Sequence, residues 1–278
     1  MKRFKRFFVC ILAVITAGLC TFGLTGCIED LRKMELNIKV YNFTEAKYED
    51  HTMDIDLYRH LAPKTVDAIV GYVNGGYYND TVFYKMSDYS SQIMIGDLKF
   101  DEDNGFYKNA EKPTLPGEFK YGGTNGSNLV NKKGSLCLWR TWDAYNNTYK
   151  TSVGTDTGSA TWFIPTSSIS SYNDWFCVFG QYDVNATNNS KAMTALEAAF
   201  GKVDETDNYV EYEIYYTGEY GDLEFHMVEK ADFDADSIVG LFEADSEKAE
   251  LVCYNHYAVK VPTYNGQIAA KIVSARIK

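Results

Sequence analysis

The sequence has few of the residues on which metal, nucleophilic and nucleic-acid sites depend. Its four histidines show no spacing typical of a metal site: His51, His60, His226 and His256. Gly158-Ser159-Ala160 lacks the second glycine of a nucleophile elbow, so this kind of hydrolase is not indicated. Lys and Arg number 27 against 38 Asp and Glu, and the net charge of −11 argues against nucleic acid as a partner. We expect no metal, no other cofactor and no nucleic acid.

Long apolar runs are also absent after the first 27 residues, where no segment approaches the ~20 apolar residues of a membrane span. At the beginning, four basic residues precede an apolar run over 7–19, and Leu24-Thr25-Gly26-Cys27 follows. This is the pattern of a bacterial lipoprotein signal, with a transmembrane helix as the alternative. We predict a signal peptide over 1–26, lipidation of Cys27 and a polar tether over 27–35. The chain would then be anchored to the cell membrane, on its extracytoplasmic face.

Removal of that leader changes the charge and the cysteine content. The net charge becomes −15, because the leader carries four basic residues and no acidic ones. Cys10 and Cys20 leave with the leader. Three cysteines then remain besides the lipidated one, each among apolar or aromatic neighbours: Cys137, Cys177 and Cys253. Buried free thiols are expected, and one disulfide remains an open alternative that the sequence does not select.

The stretch over 53–97 has the clearest periodic pattern. Met53, Ile55 and Leu57 alternate with polar residues, which predicts a half-buried strand. Pro63 then stands where a helix can begin, because a missing N–H costs little in the first turn. The apolar face of this helix consists of Val66, Ile69, Val70 and Val73. Asn74-Gly75-Gly76 predicts the helix end, and Thr81–Lys85 a second strand.

This stretch resembles the cyclophilin-type peptidyl-prolyl isomerases. Ala62-Pro63-Lys64-Thr65-Val66 is similar to that family's APKTV, and Gly76–Phe83 is similar to its GYYDGTIF. Further similar segments follow in the family's order: Gln92–Asp97, Leu115–Phe119, Leu129–Leu138, Thr157–Ile164 and Tyr172–Gly180. The number and length of the predicted strands, with two helices, favour a closed antiparallel β-barrel, which is also the family's fold.

The predicted architecture is one mainly β domain over 36–278. Its first strand, Leu36–Tyr41, pairs with Met53–Tyr58, and 98–113 is a polar surface loop. A short second helix covers Thr194–Phe200, and the last strand is Ala270–Ile277. An α+β insertion over 207–257 packs on the barrel; its predicted elements are a hairpin of Tyr209–Tyr216 with Leu223–Val228 and a helix over Ser237–Lys248.

The resemblance implies a site at which Xaa-Pro bonds are twisted. The family uses an Arg as the donor to the twisted amide, and this sequence has Lys85 at the matching position, without Arg's planar fork. The matching positions of the substrate pocket hold Phe163, Met94, Gln92, Thr161, Trp139, Tyr172 and Phe176. The alternatives are that Lys85 is an ordinary exposed strand lysine and that the apolar residues are plain core packing.

Four acidic residues in the predicted insertion have the spacing of a calcium-binding loop. Asp232, Asp234, Asp236 and Glu243 stand at positions 1, 3, 5 and 12 of such a loop. Ser237 occupies the place where the loop needs glycine. An acidic helix entrance explains the same residues more simply.

The sequence therefore predicts a membrane-anchored foldase, a peptidyl-prolyl isomerase with weakened activity and with proline-containing polypeptides as partners. It is expected to act as a monomer. The main alternative is a catalytically silent peptide-binding or chaperone module that uses the same groove. A third, less supported alternative is a surface domain that acts through the acidic insertion.

Overall fold

A computed structural model describes residues 31–86, 91–101, 105–122, 129–140, 150, 154–205, 209–219, 222–229, 232, 257–264 and 267–278. Several predicted features lie outside these ranges: the signal peptide, Cys27, Cys253, the helix over 237–248 and, except for Asp232, the residues of the calcium-type spacing. Within them, no helix is long and apolar enough to cross a membrane.

The described residues form fourteen strands, two α-helices and two short 3-10 helices, Lys120–Gly122 and Ser170–Tyr172. The strands are β1 Leu31–Asn42, β2 Lys47–Tyr58, β3 Lys85–Met86, β4 Gln92–Ile95, β5 Leu98–Asp101, β6 Gly105–Lys108, β7 Ser135–Leu138, β8 Trp162–Pro165, β9 Val178–Gln181, β10 Tyr209–Glu219, β11 Asp222–Glu229, β12 Tyr257–Tyr264, β13 Gln267–Ile268 and β14 Ala270–Ile277. The α-helices are α1 Pro63–Asn74 and α2 Thr187–Glu205.

The main sheet is antiparallel and curls around the core, with the strand order β14-β1-β2-β9-β7-β8-β4. Leu36 pairs with Met53, so the predicted pairing of the first two strands is confirmed. Among the described residues, the two end strands are linked through the segment 82–84, by the isolated bridges of Val82 with Lys271 and of Tyr84 with Met94. The predicted fold is therefore confirmed in part. The fold is mainly β with a curled antiparallel sheet, but the described strands do not close into a barrel by continuous pairing.

Helix α1 begins at Pro63 and ends at Asn74, as predicted. Its first turn is capped from a distance, because Ala62 at the N-cap position has no side-chain acceptor. Instead, the carboxylate of Glu118 accepts hydrogen bonds from the backbone N–H groups of Lys64 and Thr65, at 3.0 and 2.7 Å. A negative group at this end also complements the helix dipole.

Helix α2 is longer than the predicted helix over 194–200. Its first turn, Thr187–Lys191, is polar and carries no apolar period that could have predicted it. A buried amide holds this turn against β2: Asn189 accepts from the N–H of Asp54 at 2.8 Å and donates to its carbonyl at 3.1 Å. Farther along the helix, apolar side chains enter the main core, which also holds Trp162 and Phe83.

The prediction of a polar loop over 98–113 is wrong in its first half. Strands β5 and β6 form a hairpin there, and the rings of Phe100 and Phe106 lie 5.0 Å apart. Each strand has only two apolar or aromatic residues, Leu98 and Phe100 in β5 and Phe106 and Tyr107 in β6, too few for a period to be recognised.

A second sheet has the order β11-β10-β12-β13, and the short strand β3 also pairs with β12. The residues with the predicted hairpin pattern, 209–216 and 223–228, lie in β10 and β11. That residues 207–257 form an insertion stays a prediction.

Two of the predicted free thiols are described, and both are buried and unbridged. Burial raises the pKa of the Cys137 thiol well above its ordinary value. Burial likewise raises the pKa of Cys177, to about 12, although a contact with the Thr65 hydroxyl opposes the shift. Neither is suited to nucleophilic chemistry, because the thiolate is the reactive form.

Candidate functional site

A row of side chains crosses the outer face of the main sheet. Met94 pairs with Phe163, Phe163 with Cys137 and Cys137 with Val178, and the isolated bridge adds Tyr84 beside Met94. Paired residues of an antiparallel sheet project from the same face. Their neighbours along the strands, such as Trp162 and Ile164 in β8, belong to the main core instead.

The row belongs to a second buried hydrophobic cluster, which we call the groove cluster. Its members are Val82, Tyr84, Met94, Leu98, Cys137, Phe163, Tyr172, Phe176, Val178, Tyr212, Val261 and Ile268. Trp139 packs against it as a half-buried residue. The structure thus brings together five of the predicted pocket residues: Met94, Phe163, Tyr172, Phe176 and Trp139.

Aromatic rings enclose Phe163. The ring centroids of Trp139, Tyr172 and Phe176 lie 6.0, 6.0 and 5.8 Å from it, each nearly perpendicular to its plane. Tyr172 and Phe176 stack on each other at 4.3 Å. The exposed fraction of Phe163 is 0%, so its apolar surface is covered by the protein's own side chains.

Gln92 is the polar member of the predicted pocket, and only 2% of it is exposed. Its amide nitrogen donates to the hydroxyl of Tyr172 at 3.0 Å. Its amide oxygen has no hydrogen-bond partner among the described residues. Turning the amide over would only exchange the two atoms, so one polar atom is left over in either orientation. A buried polar group without a hydrogen-bond partner costs about 1–3 kcal/mol of stability. A ligand that offers Gln92 a hydrogen bond would recover this cost.

Thr161, also predicted for the pocket, lies at its rim. It is partly exposed, and its backbone carbonyl accepts a hydrogen bond from the N–H of Trp139 at 2.9 Å. Thr161 thereby fixes the backbone from which the Trp139 indole projects toward Phe163.

Lys85 lies apart from this aromatic group. Its ammonium is 5.5 Å from the centroid of the Phe200 ring, and Phe200 belongs to the main core. The side chains of Phe83, Tyr84 and Lys85 alternate between the two faces of the chain, so Tyr84 takes the groove side. The structure therefore does not bring the Lys85 ammonium together with the Phe163 pocket, and the catalytic role of Lys85 stays a prediction.

Tyr84 is one of the groove residues that the sequence analysis missed. Its hydroxyl donates to a carboxylate oxygen of Asp97 at 2.5 Å. The family motif directs attention to the following residue, and the strand alternation was the available signal for Tyr84.

Arg140 is a second missed residue, a cation buried to 2% exposure beside the groove cluster. Its guanidinium lies 6.0 Å from the Phe176 ring and donates to the carbonyls of Gly154 and Trp175, each at 3.2 Å. It therefore holds the chain on which Phe176 stands. The sequence feature that could have indicated Arg140 is its position directly after Trp139, a predicted pocket residue.

Three further residues reach the groove cluster from the second sheet: Tyr212, Val261 and Ile268. Burial, with the nearby Glu229 carboxylate, raises the pKa of Tyr212 to about 12, so this phenol stays neutral at physiological pH. The strand pattern over 209–216 was a signal for Tyr212. No signal marked Val261, because its partners are far away in the sequence.

The groove cluster coincides with neither a metal-binding group nor the cavity beside α2 in the described part of the chain. No group of three or more His, Cys, Asp or Glu side chains there is placed to hold a metal ion. A cavity of about 530 Å³ lies between the β1–β2 turn and α2, lined by residues that include Phe43, His51 and Ala198. None of the predicted site residues lines it.

Comparison with known proteins concerns most of the main sheet. The family model described as cyclophilin type peptidyl-prolyl cis-trans isomerase/CLD matches residues 43–214. A solved structure of a Cryptosporidium parvum cyclophilin type peptidyl-prolyl cis-trans isomerase, in the presence of the dipeptide Ala-Pro, is 16% identical, with a TM-score of 0.35 over 56% of this chain and 83% of that one. A second structure of that protein is also 16% identical, with a TM-score of 0.35 over 59% and 83%. No curated protein matches the chain.

Proposed function

Because this chain belongs to the cyclophilin-type peptidyl-prolyl cis-trans isomerase family, we propose that it acts on proline-containing polypeptides as a foldase with weakened isomerase activity. The observation that carries the proposal is the row formed by Met94, Phe163 and their aromatic neighbours on the outer face of the sheet. Once the covering aromatic rings are displaced, this row offers the apolar surface that a pyrrolidine ring needs.

The reaction needs little covalent chemistry from the protein. An Xaa-Pro bond isomerises over tens to hundreds of seconds, because its partial double bond must be twisted. An apolar pocket that holds the proline ring, with a hydrogen-bond donor near the twisted amide, stabilises the transition state. Phe163 supports the first role and Lys85 is our candidate for the second. Gln92 is our candidate for binding and orienting the peptide backbone, and its amide oxygen, which has no partner among the described residues, supports this role.

Two features support weakened activity. Lys85 offers a single compact charge where the family has a planar fork, so it cannot give two parallel donors. Its ammonium must also leave the Phe200 ring before it can reach a peptide bound at Phe163. Meanwhile Trp139 and Tyr172 cover Phe163, so a proline ring has to displace aromatic contacts before it binds.

The second candidate is a catalytically silent peptide-binding or chaperone module that uses the same groove cluster. The specific observation in its favour is the position of the Lys85 ammonium over Phe200. Under this candidate, Gln92 and the aromatic residues bind a peptide and no group assists the twist of its proline bond.

The proposed place of action is the extracytoplasmic face of the cell membrane, with Cys27 carrying the lipid. The lipoprotein-signal sequence Leu24–Cys27 and the basic residues before the apolar run support this location. We propose further that the protein acts there as a monomer.

The two candidates are separated by measuring binding and catalysis on one sample, the chain from residue 28 onward. A labelled Ala-Ala-Pro-Phe peptide is titrated for binding, and its cis-to-trans relaxation is followed with and without the protein. The foldase proposal expects saturable binding and a rate above the uncatalysed one. Binding without acceleration would support the silent module, and no binding would contradict both.

A further inference from the structure

The strand that carries Lys85 has a neighbour from the distant part of the chain. In strand β3, Lys85 pairs with Lys260 of β12, and Met86 pairs with Val259. Strand β12 therefore lies along the edge at which the predicted catalytic residue stands. The family match ends at residue 214, so β12 lies outside the part of the chain that the family shares.

The same strand also enters the groove cluster. Val261 of β12 is 0% exposed and is a member of this cluster together with Met94 and Phe163. Ile268 of β13 joins it, as does Tyr212 of β10, whose ring lies 5.0 Å from that of Phe106. The second sheet thus adds its own apolar side chains to the surface proposed to receive a peptide.

Strand β12 has the form of a bound extended peptide. The segment is extended and already paired along one side with β10. Because successive strand residues project to opposite faces, the residue that β12 presents to the groove cluster is Val261, so β12 occupies the groove with an extended backbone and a valine side chain.

We propose that β12 is an internal pseudosubstrate, which occupies the groove until a client polypeptide displaces it from β3. The inference rests on the proposed function, since it concerns the same groove. Among the described residues, two pairs join β12 to β3, so this contact can open while β12 stays paired with β10. A client strand can then add to the free edge of β3, as peptides do at exposed sheet edges. The apparent Kd for clients is the intrinsic Kd divided by the fraction of molecules in which β12 is released, so a smaller released fraction means weaker binding.

A reversible disulfide between β3 and β12, which we call the staple, tests the pseudosubstrate proposal. Met86 and Val259 are cross-strand partners, and the Cα separation in such pairs suits a disulfide. The Met86→Cys/Val259→Cys chain is titrated, oxidised and reduced, with a fluorescent peptide of sequence YAVKVPTY, the residues of β12. We expect the oxidised form to bind at least about tenfold more weakly than the reduced form. The matched control staples another strand pair of the second sheet, Thr217→Cys/Glu224→Cys, and should bind equally in both states.

A second variant works in the opposite direction. Val261→Thr keeps the side-chain shape but places a hydroxyl in the groove cluster, which favours release of β12. This variant should bind the peptide at least about tenfold more tightly than the unsubstituted chain. Val73→Thr makes the same change at a buried position of α1, in the main core, and should leave the affinity unchanged.

The outcomes separate this inference from the proposed function. Tighter binding by Val261→Thr together with weaker binding by the oxidised staple supports the pseudosubstrate. Equal binding by the oxidised and reduced staple overturns it and leaves the peptide-binding groove standing. If no form binds the peptide, the groove is not a peptide site, and the proposed function falls with the inference.

Discussion

Met94 and Phe163 lie directly opposite each other in β4 and β8, and both project from the outer face of the curled sheet. The residues on either side of each of them point into the main core. A shift of one residue in this pairing would exchange the two faces of the strand. The position of the groove residues is therefore determined by the same register that builds the core.

Phe163 should contribute to stability and to peptide binding together. Phe163→Ala removes a fully buried ring, and we expect it to lower the free energy of unfolding by about 3–5 kcal/mol. Peptide binding should be lost as well. Denaturant unfolding and a peptide titration measure the two effects. Phe179→Ala, equally buried but in the main core, should cost similar stability while the folded fraction binds normally. Normal binding by Phe163→Ala would remove Phe163 from the site.

The distant cap of α1 should be worth a measurable amount. Glu118→Ala leaves the N–H groups of Lys64 and Thr65 without their acceptor, so we expect a loss of about 1–2 kcal/mol in unfolding free energy. Glu118→Gln retains one acceptor oxygen and should lose less. Glu111→Ala, an exposed carboxylate paired with Lys108, serves as the control and should change stability little. Equal stability of Glu118→Ala and the unsubstituted chain would contradict the cap.

The ion pairs at the last strand should give stability that acid removes. Hydrogen bonding by Lys278, and to a smaller extent by Arg276, lowers the pKa of Glu35. Because the folded pKa lies below the unfolded one, this stabilisation is present above the usual glutamate value of about 4.3 and is lost as the pH falls below it. The melting temperature of Glu35→Gln should therefore lie below that of the unsubstituted chain at pH 7, and the gap should close toward pH 2–3. A gap that does not depend on pH would rule out the charge as its cause.

The lipid anchor can be tested independently of the fold. Cys27→Ser should abolish labelling of the protein by fatty acid in cells and should release it from the membrane fraction. If the variant still sediments with membranes after an alkaline wash, the lipoprotein prediction is wrong.

Long periodic segments were predictable from the sequence. The pairing of β1 with β2, the bounds of α1 and the last strand were all correct, because each has several apolar residues in a regular period. The hairpin of β5 and β6 was missed because its apolar runs are too short. The polar first turn of α2 was missed because it has no period at all.

The candidate site was predictable only in part. The family motifs predicted Phe163 and Met94, because each lies inside a short motif that forms one strand, β8 or β4, of the main sheet. Which of Tyr84 and Lys85 points toward the groove depends on the pairing of the segment with β4, β14 and β12. The contact of β12 with β3 joins residues about 170 positions apart, and no local pattern encodes it.

We propose above all that this groove assists the twist of a proline bond. The most direct measurement is the cis-to-trans relaxation rate of a proline peptide with the chain from residue 28 onward and its Lys85 variants. We expect slow catalysis above the background rate, an increase with Lys85→Arg because the fork restores paired donation, and no catalysis with Lys85→Ala. Lys271→Ala, a surface lysine paired with Asp80, should not change the rate. A background rate for both the unsubstituted chain and Lys85→Arg, with peptide binding intact, would contradict the isomerase and leave the silent peptide-binding module.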